Sequence, residues 1–123
     1  MARTTFAGPI HVGVGTSVPA VTQATSRATG VTLNAPSGQI TMNAASLDAA
    51  AEATFTVTNS FVKSTSVPVV ALSSGQTAST SIVNVTAVAN GSFDITVTNL
   101  NAATADTGAG VINFIVFGGV AAQ

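Results

Sequence analysis

Residues 21–42 read VTQATSRATGVTLNAPSGQITM, and within them apolar and polar side chains alternate in three short runs, 21–23, 31–34 and 39–42. A period of two suits extended strands, whose successive side chains point to opposite faces. Gly30 and the run Asn34-Ala35-Pro36-Ser37-Gly38 cut the stretch into pieces. Proline fixes its own φ there, and glycine accepts backbone angles that other residues avoid. Val31, Leu33, Ile40 and Met42 fall on one face of their strands, and Thr32, Gln39 and Thr41 on the other.

The same alternation runs on through the chain. Residues 53–59 (ATFTVTN) form a strand with Phe55 and Val57 inward and Thr54, Thr56 and Thr58 outward. Residues 67–73 (VPVVALS) are apolar on both faces, so they are either buried twice or set against a partner. Pro68 lacks a backbone donor and belongs at the start or edge of a sheet. Residues 110–118 (GVINFIVFG) carry two apolar rows: Ile112, Phe114 and Val116 in one, Val111, Ile115 and Phe117 in the other, broken by Asn113. One row belongs to the core, and the other must be covered by a second layer, the N-terminal arm or another subunit.

Asn90-Gly91 marks a hairpin, and two registers compete for it. A two-residue turn closed by Ala89 and Ser92 sets Val83 and Val85 on the face of Thr96 and Thr98. A three-residue loop, Ala89-Asn90-Gly91 with Gly91 left-handed, instead pairs Ala87 with Phe93, Val85 with Ile95 and Val83 with Val97. Register follows the apolar face, so the three-residue loop is expected, with these six residues buried together. Between the third and fourth strands, the alanine-rich NAASLDAAAEA favours helix locally but is short, and predicts a connection with one helical turn. Eight short strands about ten residues apart give an all-β fold, a two-sheet sandwich of which the jelly roll is one form. The sandwich is expected over residues 20–123.

Residues 1–19 (MARTTFAGPIHVGVGTSVP) read differently, as an extended arm. Glycines and prolines break any helical period, while Arg3, Phe6, Ile10 and Val12 offer contacts. The arm is expected to leave the domain and lie along a neighbouring subunit or a larger surface.

Only 6% of the residues are charged, against about a quarter in ordinary soluble domains, and none lies between Lys63 and Asp94. With 46% hydrophobic residues this is no disordered composition. Such a surface is solvated by Ser, Thr, Asn and Gln or hidden in partners. A net charge of −1 with three basic residues leaves no electrostatic footprint for nucleic acid. The most apolar run, residues 109–122, is shorter than the roughly 20 residues of a membrane-spanning helix. Arg3 is followed by no apolar stretch of the secretory kind. No membrane or nucleic-acid partner is expected.

The residues that carry chemistry are sparse. His11 is the single histidine and there is no cysteine, so neither a His cluster nor a thiolate site is available. Gly13-Val14-Gly15 lacks the third glycine of a nucleotide loop, and no serine sits in nucleophile-elbow spacing. Asp48 and Glu52 stand four apart, a pair that reads as two solvated charges. With no Trp or Tyr, aromatic platforms for sugars or single strands are missing. No enzyme activity, cofactor or metal is expected.

The string Thr22-Gln23, Thr25-Ser26, Thr29-Gly30-Val31-Thr32-Leu33-Asn34 and Pro36-Ser37-Gly38-Gln39-Ile40-Thr41-Met42 resembles a module of structural proteins of tailed-bacteriophage virions, where it introduces a small β-domain. The RTTFAGPI opening resembles starts of such proteins too. The resemblance covers about a fifth of the chain, and the strand pattern extends it to Phe117. It implies a virion protein, in one of two forms. One is a head decoration, or cement, protein on the outer surface of the head, bridging subunits of the major capsid protein. The other is a tail-fibre or adhesin module that binds a host receptor. The short length and the absence of exposed-looking aromatics in the sequence pattern lead to the expectation of the cement protein. The resemblance further implies a homotrimer; independently of it, the second apolar row, Val111, Ile115 and Phe117, is read as the oligomer interface, and Arg3, Phe6, Ile10 and Val12 as the capsid-contact arm.

Overall fold

The strands form where the alternation places them: β1 (Ala20–Thr22), β2 (Val31–Thr32), β3 (Ser37–Thr41), β4 (Glu52–Thr58), β5 (Val67–Ser74), β6 (Ser81–Ala89), β7 (Ser92–Asn99) and β8 (Val111–Phe117). The computed structural model describes residues 17–77 and 80–118, and among these no residue is helical. Of the N-terminal arm, only residues 17–19 fall within the described part. Arg3, Phe6, Ile10 and Val12 lie outside it.

The chain is an all-β sandwich of two four-stranded sheets. Sheet A runs β1-β3-β8-β5 and sheet B runs β2-β4-β7-β6. β1 pairs parallel with β3 and β2 parallel with β4, while the remaining pairs are antiparallel. Those parallel pairs set the fold apart from a strictly antiparallel jelly roll. At the flanks β1 lies near β2, and β5 near β6. As Pro68 requires, β5 is an edge strand.

Alternation decides the core. Val31, Ile40, Met42, Phe55, Val57, Phe93, Ile95, Val97, Ile112 and Phe114 all point between the sheets and are buried. The Phe93 and Phe114 rings meet across the sandwich with centroids 5.7 Å apart and planes tilted by 58°. Such a pair adds about 0.5–1.5 kcal/mol beyond the area it buries. Gly38 faces inward beneath this pair. A Cβ built there would stand 2.8 Å from Leu33 Cδ2 and 2.9 Å from the Pro19 carbonyl, so the backbone packs too closely for any side chain.

The β6–β7 hairpin differs from expectation at its tip. Ala89 and Ser92 close a two-residue turn, not a three-residue loop, and Ala87 pairs with Asp94. Val85 still pairs with Ile95 and Val83 with Val97, because the register shifts by one residue between Val85 and Ala87. The extra residue, Thr86, is a β-bulge. It brings Val88, not Ala87, against the core, while Ala87 is exposed. Apolar residues at 83, 85 and 88 cannot share one face of a regular strand, and the bulge removes the conflict. Gly91 does take a left-handed φ of 84°.

No helical turn forms between β3 and β4. The Asn43 side-chain oxygen instead accepts the Ala45 amide, and Leu47 and Asp106 exchange backbone bonds of 2.9 Å as an isolated bridge. Eleven residues gain little from helical propensity, and these tertiary bonds outweigh it. Asp48 and Glu52 are both exposed, and Glu52 opens β4.

Candidate interaction surface

The outer face of sheet A is apolar at one end. Outward residues of neighbouring strands stand side by side: Phe117 beside Val67, then Ile115 between Ser37 and Val69, then Asn113 between Gln39 and Ala71. Val67 is 60% exposed, Phe117 48% and Val69 47%, while Ile115 is half-buried. The small residues Ser37 and Ala71 leave a depression beside Ile115, a groove of about 430 Å³ with Val18 at its rim. In its floor the Gln39 amide donates to Asn113 Oδ1 at 3.0 Å, so these two polar groups satisfy each other.

Two of the three expected interface residues therefore come together, since Ile115 and Phe117 are neighbours on this face. Val111 faces the same way but sits apart beyond Asn113, between Thr41 and Ser74, about 13 Å from Ile115 at the usual strand rise. Val67 and Val69 complete the patch. Their signal was the two-sided apolarity of residues 67–73.

Sheet B turns a different chemistry outward. Thr96 Oγ1 lies 2.7 Å from Thr54 Oγ1 and 2.9 Å from Thr86 Oγ1, and Thr56 Oγ1 donates to Asp94 Oδ1 at 2.7 Å. The hydroxyls bond across three strands, so this face meets much of its own hydrogen-bonding demand.

A third feature is buried. Arg27, 3% exposed, reaches from the loop after β1 and donates through Nε to the Ala45 carbonyl at 2.6 Å. Its Nη2 donates to the carbonyls of Asp106 and Gly108 at 3.1 and 2.7 Å and lies 3.5 Å from Asp106 Oδ1. Asp106, fully buried, accepts from the Thr77 and Gly108 amides through Oδ1 and from the Ser81 hydroxyl through Oδ2. Burial by itself would raise the Asp106 pKa. The bonds from Ser81, Thr77 and Gly108 and the charge of Arg27 outweigh it and hold the carboxyl below its ordinary value. The cluster ties four segments together, the loop after β1, the β3–β4 connection, the β5–β6 connection and the loop before β8. Among the described residues, no group of three or more His, Cys, Asp or Glu gathers in a way that could hold a metal ion.

Asparagines close the ends of sheet B. Asn59, just past β4, donates to the Ala35 carbonyl at 2.7 Å and accepts from the Phe61 amide. Asn99, ending β7, donates to the carbonyls of Leu47, Asp48 and Thr104 and accepts from the Asn101 amide. Both end the same tetrapeptide, Thr-Val-Thr-Asn at 56–59 and 96–99. That repeat is the sequence signal for them. Because β4 and β7 are antiparallel, one device serves opposite ends.

No protein-family model matches the chain, and comparisons with curated proteins and with solved structures also return no match.

Proposed function

We propose that this chain is a decoration protein of a tailed-bacteriophage head, a non-enzymatic β-domain that bridges subunits of the major capsid protein on the outer surface of the shell. The observation that carries the reading is the apolar outer face of sheet A, set on a domain whose other outer face is threonine-rich, with Ile82 its one large exposed apolar side chain among the described residues. A contiguous apolar patch of this kind marks a contact surface. The phage-like string at residues 21–42 and the near-absence of charge support the same reading. A neutral surface suits a protein packed in many copies against a shell.

In this reading the copies associate as trimers through Phe117 and Val67, and each arm, led by Arg3 and Phe6, adds a hold on the capsid. Several weak contacts made at once gain through effective concentration, and binding only the assembled shell stabilises it by mass action. The test is to separate purified virions into heads and tails and probe each with an antibody against this chain. Labelled heads are the expected outcome. Labelled tails would replace this reading with the receptor-binding module.

A further inference from the structure

The groove on sheet A has its own chain at the rim. Val18 lines it together with Ser37, Gln39, Val69, Ala71 and Ile115, and Val18 is followed at once by Pro19, whose carbonyl accepts the Gln39 amide. The polypeptide that precedes Val18 therefore starts at the mouth of the groove. In that stretch apolar residues recur at every second position, Ile10, Val12 and Val14, separated by His11 and Gly13. This pattern gives an extended segment one apolar edge.

The reach is sufficient. Val14 lies four residue steps from Val18 and Val12 six, which at about 3.3 Å per step allows up to about 13 and 20 Å. The three inter-strand steps across sheet A add to roughly 14 Å. Gly13 and Gly15 carry no Cβ, so the backbone can approach the sheet closely. A tether this short makes docking intramolecular, and even a weak apolar contact is then occupied.

We propose that segment 10–14 folds back across sheet A of its own domain and seats Val12 and Val14 in the groove between Val18, Val69 and Ile115. Ile10 then covers the same face farther on. Arg3 and Phe6, beyond Gly8-Pro9, stay free for a partner, and the Phe117–Val67 end remains uncovered. The inference does not depend on the capsid reading, because it concerns a contact within one molecule.

The cysteine-free sequence allows a direct test in the full chain. A single Val69→Cys variant is alkylated with iodoacetamide, and the rate is compared with that of the same variant carrying Val12→Asp and Val14→Asp. The intact segment is expected to slow the reaction about tenfold, as a contact of about 1.4 kcal/mol would. The slowing should be the same in dilute and concentrated protein. Thr56→Cys on sheet B should react at one rate in both backgrounds. Ala71→Cys, exposed in the same groove, replaces Val69→Cys if that variant does not fold. Equal rates in the two backgrounds would overturn the proposal. So would protection that grows with protein concentration, because the occupant would then come from a second copy.

Discussion

On the outside of sheet B, the hydroxyls of Thr54 and Thr86 both bond to that of Thr96, whereas on the outside of sheet A, Val67, Val69 and Phe117 are exposed without such partners. Both faces come from the same alternation, and neither set of side chains is needed to fill the core. Under the proposed function, their difference reflects what each face meets. Hydroxyls that satisfy each other across strands make little demand on a neighbour. Valine and phenylalanine side chains gain about 25 cal/mol for each Å² removed from water, so on sheet A that gain is open to whatever covers the face.

The largest effect is expected from neither face, and this separates holding the fold from using its surfaces. Asp106→Asn should cost about 3 kcal/mol in denaturant unfolding, since it leaves Arg27 buried without its counter-charge. The pH dependence has a definite sign. The folded carboxyl titrates below its ordinary 3.8, so its stabilisation is present above that value and is lost as pH falls through the lower folded one. Stability should hold from neutrality to about pH 4 and then decline, and the decline should be shallower in Asp106→Asn.

Phe117→Asp comes next and acts on association. Loss of an aromatic anchor of about 2 kcal/mol should weaken self-association roughly 30-fold by sedimentation, with the melting temperature nearly unchanged. If the unaltered chain already sediments as a 12.0 kDa monomer at all concentrations, the contrast between the faces loses its functional meaning.

The smallest effect belongs to sheet B. Thr96→Ala removes the hydroxyl shared by Thr54 and Thr86 and should cost about 1 kcal/mol of stability without altering association. A change in association would show that the threonine face also meets a partner.

Much of the architecture was legible because a period of two is a local signal. The strand at 53–59, the core row Ile112, Phe114 and Val116, and the edge position of Pro68 all followed from neighbouring residues. The hairpin tip was misread because strict alternation selects Ala87, while the larger apolar side chain stands at Val88. Only a bulge reconciles the two. The buried cluster was not legible at all. Arg27 is bound to carbonyls up to 81 residues away, and carbonyls carry no sequence identity. Half of the candidate surface was legible: Ile115 and Phe117 stood in the second apolar row, but adding Val67 and Val69 required knowing that β5 lies beside β8.

The strand order also has a temporal consequence. Among the described residues, β6 and β7 are the only strands paired with their immediate neighbour in the chain, and every other pairing spans at least one intervening strand. Sheet B can be completed once residue 99 has left the ribosome, but sheet A cannot. Its β3 and β5 are joined only through β8, so until Val111–Phe117 emerges they have nothing between them. Pairings this distant in sequence are slow to form, on the order of milliseconds to seconds. The nascent chain should therefore pass through a stage with one sheet closed and the apolar inner side of that sheet waiting for the last strand to arrive.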